Sequence, residues 1–257
     1  METKSLGFIG GGRITRIFLE AFHNRDVSLG KVVVFDINPD TLSILKKQFP
    51  KITIADSAES AAKQEIVFIA LHPPVIMETL EKIKVEIHED AVVISLAPKI
   101  TLEKMQTKLR TGNLARMIPN ATSFINEGFN PITFASGFDP EKKEMILELI
   151  VLLGYFFETE ESKLESYAII SAMLPTYFWF QWEELCKIGI QTGLTEAESR
   201  EAVFETLYAA LNMMFNSGLP YAIVNDLIPV KPITEHETSI KELYNSKLLS
   251  LFDKIKP

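Results

Sequence analysis

A short apolar run, Leu6-Gly7-Phe8-Ile9, passes straight into Gly10-Gly11-Gly12, and apolar residues at helical spacing follow through Ile14–Phe22. A second run, Lys31–Phe35, is rich in valine and ends at Asp36. This strand–turn–helix–strand order constrains the fold more than any other feature of the chain. In such a unit the first glycine permits the tight turn, and the second lets the backbone approach a pyrophosphate seated on the helix N-terminus. Gly10 and Gly12 take those places, and Thr15, small but not glycine, takes the third, where helix and strand pack closely. A plain structural turn is the competing reading. The strand, the helix and the acid closing the second strand together favour a bound dinucleotide.

The alternation continues. Apolar runs recur at Ile52–Ala55, Ile66–Leu71, Ala91–Leu96 and Leu114–Met117, with helical spacing between them at Leu42–Phe49, Val75–Ile83 and Leu102–Leu109. Strands that read as continuous apolar runs are covered on both faces, which implies a mostly parallel sheet wrapped by helices. Asn38-Pro39 and Asp139-Pro140 each offer an N-cap with proline at the first helical position. The character changes near Tyr155–Lys163, and only helical patterns follow. Thr195-Glu196-Ala197-Glu198 makes a capping box, its helix running to about Ser217 before Gly218 stops it. A last helix is expected from about Glu237 to Phe252. The expected fold is α/β: a Rossmann-type doubly wound parallel sheet over residues 1–158, then an all-helical dimerisation and substrate domain over 159–257.

Composition narrows the partners. A formal net charge of -8, with no Lys/Arg cluster, argues against nucleic acid. The uncharged stretch Tyr167–Trp182 contains Pro175 and is too short to span a bilayer, so no membrane association is expected. Cys186 is alone and the N-terminus lacks the order of a secretory signal, which points to the cytoplasm. Cys186 has no neighbouring base and reads as a buried structural thiol. The acidic run Glu158-Thr159-Glu160-Glu161 reads as solvated surface. His23, His72, His88 and His236 lack metal-ligand spacing, so no metal is expected.

Asp36 bears on which dinucleotide. A carboxylate there accepts both ribose hydroxyls of NAD, whereas it repels a 2′-phosphate by roughly 3 kcal/mol for one charge pair at about 5 Å and an effective dielectric near 20. Ile37 and Asn38 supply no cation, although Arg13 is beside the glycines. NAD(H) is favoured and NADP(H) stays open.

Arg116-Met117-Ile118-Pro119-Asn120, then Asn126-Glu127-Gly128, together with Gly7–Gly12, resemble the motifs of the pyrroline-5-carboxylate reductase family. Val67–Ala70 and Val93–Ala97 extend the resemblance, parts of which F420-dependent and β-hydroxyacid oxidoreductases share. It implies hydride transfer from a reduced nicotinamide to the C=N carbon of a cyclic imine. It also implies a homodimer joined through the helical domain, for which the run Tyr177-Phe178-Trp179-Phe180 is suited. The matching positions imply cofactor contacts at Gly10, Gly11, Gly12, Arg13, Ile14, Asp36, Ala70, Leu71, Pro73 and Ala97. They imply catalytic candidates at Asn120, Glu127 and Thr234, and His72 joins them from its place just past the end of a strand. His72 reads either as a proton donor past a strand end or as a solvent-facing loop residue, and Glu127 as a pocket residue or a turn.

The chain departs from the family in three segments. The small-residue run around Ser171 carries Ala172, Met173, Leu174 and Thr176. The family's carboxylate-holding loop is here Pro229-Val230-Lys231-Pro232-Ile233-Thr234, where two prolines remove donors and only Thr234 keeps a hydroxyl. The turn after the fourth strand is His72-Pro73-Pro74. A small-molecule imine or carbonyl substrate other than pyrroline-5-carboxylate is therefore expected. One alternative is a true pyrroline-5-carboxylate reductase with a remodelled loop, in which Lys231 holds the anion. Another is a catalytically inactive dinucleotide-binding regulator or scaffold. A β-hydroxyacid dehydrogenase would need a glycine-rich helix with a catalytic lysine, which Lys163–Tyr177 does not provide.

Overall fold

The computed structural model describes residues 4–257. The chain runs β1 (Leu6–Ile9), α1 (Arg13–Asn24), β2 (Val32–Phe35), α2 (Pro39–Gln48), β3 (Thr53–Ile54), α3 (Ala58–Ala62), β4 (Ile66–Ile69), α4 (Pro73–Ile83), β5 (Val92–Ser95), α5 (Leu102–Gln106) and β6 (Leu114–Met117). After a 3-10 turn, Ala121–Ile125, come β7 (Gly128–Phe134), α6 (Pro140–Ile150), β8 (Gly154–Glu158) and α7 (Leu164–Tyr167), which continues into a π-helical turn, Ala168–Ala172. The sheet order is β3-β2-β1-β4-β5-β6-β7-β8, parallel from β3 through β6. Its first six strands follow the doubly wound dinucleotide order, with the switch between β1 and β4.

Both faces of the central strands β1, β4 and β5 are buried, and this explains their apolar runs. Along β1, Leu6 and Phe8 join one core while Ile9 joins the other. Phe8 stacks on Phe68 at 4.8 Å between centroids, and Phe18 meets Phe68 edge-on at 5.5 Å. The anticipated caps form: Asn38 accepts from Asp40 N–H, and Asp139 from Glu141 and Lys142, each with proline just inside.

β7 and β8 are absent from the sequence reading. β7 carries Gly128, Asn130 and Pro131, a composition that argues against a central strand. The antiparallel ladder with β6 begins only at Ile132, so Pro131 owes it no N–H, and its carbonyl accepts from Ile118 N at 3.1 Å. β8 then pairs parallel to β7 along all of its residues.

Strands end at Glu158, but the compact units divide later than the expected border at 158/159. One unit is 1–172 with 251–257, the other 173–250. Segment 159–172 belongs with the sheet because Leu164 and Ala168 pack on Ile118, and Ile255 joins them.

The second unit holds α8 (Pro175–Gln191), α9 (Glu196–Asn216), α10 (Tyr221–Asp226) and most of α11 (Glu237–Ile255). The capping box at Thr195 and Glu198 is present, and Gly218 follows α9 at φ +73°. Hydrogen bonds from the Thr195 hydroxyl and N–H hold the Glu198 carboxyl below its ordinary pKa. Helices α8 and α9 meet closely at Gly189, where Ser199 Oγ donates to the Cys186 carbonyl at 2.7 Å. Cys186 is half-buried. Ser199 is the one buried residue between 173 and 250.

Candidate cofactor site

Gly10 closes the first turn at φ +106°, and a Cβ there would lie 2.2 Å from the Ala70 carbonyl oxygen. Its N–H donates to Phe35 O at 2.8 Å, so the turn is clamped between β2 and the end of β4. Thr15 is fully buried and donates its hydroxyl back to Gly10 O at 2.5 Å. A side chain thus replaces the third glycine and ties the helix to the turn.

Gly12 is the N-cap of α1, with no side-chain cap, no acid in the first turn, and nothing within 4 Å of where a Cβ would be. The N–H groups of Arg13 and Ile14 open on that space with the positive end of the helix dipole behind them. Arg13 is exposed beside them. This geometry fits the diphosphate of a dinucleotide.

Asp36 is bound to the turn it faces. Its Oδ2 accepts from Gly11 N at 2.7 Å and its Oδ1 from Asn38 N at 2.8 Å. The Gly11 N–H is therefore engaged with Asp36 and is not open to an anion at this helix end. Each carboxylate oxygen keeps a lone pair, so Asp36 retains capacity for ribose hydroxyls.

Ala70 and Leu71 leave β4 half-buried, Pro73 begins α4, and His72 is its exposed N-cap, the imidazole making no cap hydrogen bond. Ala97 is buried just beyond β5. These residues gather at the carboxyl ends of β1, β4 and β5, beside the switch point.

Asn120 is buried and engaged at both ends of its amide. Its Oδ1 accepts from Thr122 N and Oγ1, while Nδ2 donates to Ser171 Oγ at 3.1 Å. Ser171 Oγ lies 3.4 Å from Phe129 O. Asn120 thereby ties the end of β6 to the π-helical turn. Glu127 is exposed on the turn before Gly128, its N–H donating to Thr122 O at 3.1 Å.

Thr234 belongs to the helical unit and begins the exposed 3-10 turn Thr234–His236. Its N–H donates to Lys231 O and that of His236 to Ile233 O, so both are spent within the loop.

A buried ionic cluster went unread in the sequence. Arg116 of β6 is fully buried, its Nη1 donating to Glu161 Oε1 at 2.8 Å and its Nη2 to Glu165 Oε1 at 2.5 Å. Glu161 is thus not the solvated acid expected of its run: Arg116 and the Leu102 N–H recruit it. The signal was a charge inside an apolar strand, Leu-Ala-Arg-Met, which requires a partner.

A cavity of about 260 Å³ lined by Leu19, Phe22, Val32 and Phe49 lies at the amino end of the strands, away from the glycine turn. Among the described residues, no helix is long and apolar enough to cross a membrane, and no cluster of three or more His, Cys, Asp or Glu side chains is placed to hold a metal.

Residues 5–99 match the family model described as NADP oxidoreductase coenzyme F420-dependent. The pyrroline-5-carboxylate reductase of Corynebacterium melassecola is 22% identical over 218 residues, 83% of this chain and 81% of the relative. That of Escherichia coli (strain K12) is 23% identical over 228 residues, 88% and 84% of the two. The crystal structure of a Plasmodium falciparum pyrroline carboxylate reductase with NADP bound aligns over 99% of this chain and 96% of its own, with a TM-score of 0.78 at 19% identity. The fold is that of an NAD(P)-dependent oxidoreductase.

Proposed function

On the premise that this chain resembles the pyrroline-5-carboxylate reductase family along most of its length, we propose that it is a nicotinamide-dependent reductase of an imine or carbonyl compound. The open, glycine-lined N-terminus of α1 carries the reading. There the N–H groups of Arg13 and Ile14 hold the diphosphate and Asp36 orients the adenosine ribose. Bound so, the reduced nicotinamide supplies hydride to a C=N or C=O carbon. His72, free at the end of β4, protonates the product nitrogen or oxygen.

The substrate is other than pyrroline-5-carboxylate. Supporting this, Pro229 and Pro232 offer no N–H, and those of Thr234 and His236 are already engaged. A site that recognises a carboxylate by hydrogen bonds discriminates strongly when they are lost. The test is fluorescence titration with NADH and NADPH, then cofactor oxidation against cyclic imines and 2-keto acids, in wild type and His72→Gln. Micromolar nucleotide binding with turnover that falls at least about tenfold in His72→Gln is expected. No binding below millimolar would sink the reading. Binding without turnover would favour a regulator, and fast reduction of pyrroline-5-carboxylate would favour the remodelled-loop alternative.

Asp36 favours NADH. Asp36→Asn keeps an acceptor for Gly11 N–H but drops the charge, so the NADH-to-NADPH affinity ratio is expected to shift at least about tenfold toward NADPH. An unchanged ratio would remove Asp36 as the determinant.

The functional form is a homodimer. In support, the helical unit exposes Phe204, Tyr208, Leu211 and Phe215 along α9, with Trp179 and Phe180 on α8. Isolated exposed apolar residues are ordinary, but a continuous face of this size marks an interface. Sedimentation equilibrium should give twice the chain mass of 29.0 kDa, and Phe204→Asp should shift the species toward monomer. A monomeric wild type would refute this.

A further inference from the structure

Lys99, in the turn between β5 and α5, adopts φ +76°, a left-handed conformation that glycine takes freely and lysine does not. Its side chain is exposed, so core packing does not force it. The constraint comes from beneath. The Lys99 N–H donates to Glu165 Oε1 at 2.9 Å, and that oxygen also receives Arg116 Nη2. At the other end of the turn, Leu102 N donates to Glu161 Oε1 at 2.7 Å, which receives Arg116 Nη1. One buried guanidinium therefore holds two carboxylates, each gripping one backbone N–H of the segment Lys99–Leu102. Strained backbone persists only where its surroundings over-determine it, and here they do so from two sides.

The segment begins two residues past Ala97. With Asp36 at β2 taking the adenosine side and the glycine turn at β1 taking the diphosphate, the order β2-β1-β4-β5 sends the nicotinamide side toward the ends of β4 and β5. We propose that Arg116, Glu161 and Glu165 are positioning residues that fix the Ala97–Leu102 turn in the form that receives the nicotinamide half of the cofactor. The cofactor part rests on the reductase reading above; the strained turn does not. A buried ion pair often adds little net stability over a hydrophobic replacement, so a positioning role accounts for its presence better than stability does.

The experiment compares wild type, Glu165→Leu, and Glu165→Leu combined with Lys99→Gly. In the crystal structure of E165L, Lys99 should leave the left-handed region; if it stays at φ near +76°, the proposal is overturned whatever the nucleotide does. In titrations, E165L should bind reduced dinucleotide about tenfold more weakly, and adding Lys99→Gly should return affinity to within about threefold of wild type while Tm stays low. Affinity that merely tracks Tm, with no rescue, would assign the cluster a purely structural role and overturn the proposal. Should E165L fail to fold, Glu165→Gln is read in the same way, with a several-fold loss that Lys99→Gly restores. Wild-type protein that binds neither nucleotide would defeat the reductase reading, and the crystallographic comparison would still decide the turn.

Discussion

Replacing Gly10 with alanine is expected to cost both the fold and the cofactor. The new Cβ would sit 2.2 Å from the Ala70 carbonyl oxygen and 2.8 Å from its carbon, and the backbone would still need φ +106°. Backbone atoms of a central strand cannot step aside, so β1 and β4 must part where the turn leaves the sheet. A destabilisation of about 3 kcal/mol is expected, lowering Tm by roughly 10 °C for a chain of this size. Nucleotide affinity should fall at least about a hundredfold.

Gly12→Ala is the contrasting case. Nothing lies within 4 Å of its Cβ position, and its φ of -74° suits alanine. Tm should move little, a change of about 1 kcal/mol or less from the altered N-cap. Affinity should still drop about tenfold or more, because the methyl occupies space the diphosphate needs. Differential scanning fluorimetry beside nucleotide titration separates the two. Equal affinity losses with equal Tm losses, or normal binding by Gly12→Ala, would move the diphosphate away from the helix N-terminus.

Arg116→Met should be the most destabilising single change in the sheet unit that spares the glycines. It leaves Glu165, 1% exposed, without its countercharge, and Glu161 without its ionic partner. Removing one partner of a buried pair typically costs 3–5 kcal/mol, because the remaining charge has neither water nor counterion. Arg116→Lys should lie between, since one ammonium cannot match a fork that reaches two carboxylates. The triple change Arg116→Met, Glu161→Gln, Glu165→Gln should recover much of the loss by removing the stranded charges. Urea denaturation of the four proteins checks the order. A triple variant no better than Arg116→Met would show that shape rather than charge is at stake.

Most of the first six strands were legible because burial on both faces writes a central strand as an apolar run, as in Leu6–Ile9 and Ile66–Ile69. The caps were legible because Asn-Pro, Asp-Pro and Thr-x-x-Glu each encode a local hydrogen bond. β7 was not, because Gly128, Asn130 and Pro131 interrupt its apolar run: Pro131 looks like a breaker until the ladder is known to start at Ile132. Asn120 was singled out by motif resemblance, yet its amide is committed to Thr122 and Ser171, a tie between segments that spacing alone does not reveal. Glu161 was misjudged for a related reason. An acidic run reads as solvated unless a buried cation far along the chain selects one member of it. Glu165 lay outside every pattern, since only the fold brings it under the turn after β5.

The return of residues 251–257 to the sheet unit bears on synthesis as well as architecture. Ile255 completes a small core with Ile118, Leu164 and Ala168, so the sheet half of the molecule is finished by residues made after the whole helical unit. A ribosome-bound chain will therefore carry the sheet with that corner open until the final turn of α11 emerges, and the sheet half cannot complete its packing before the helical unit has been made.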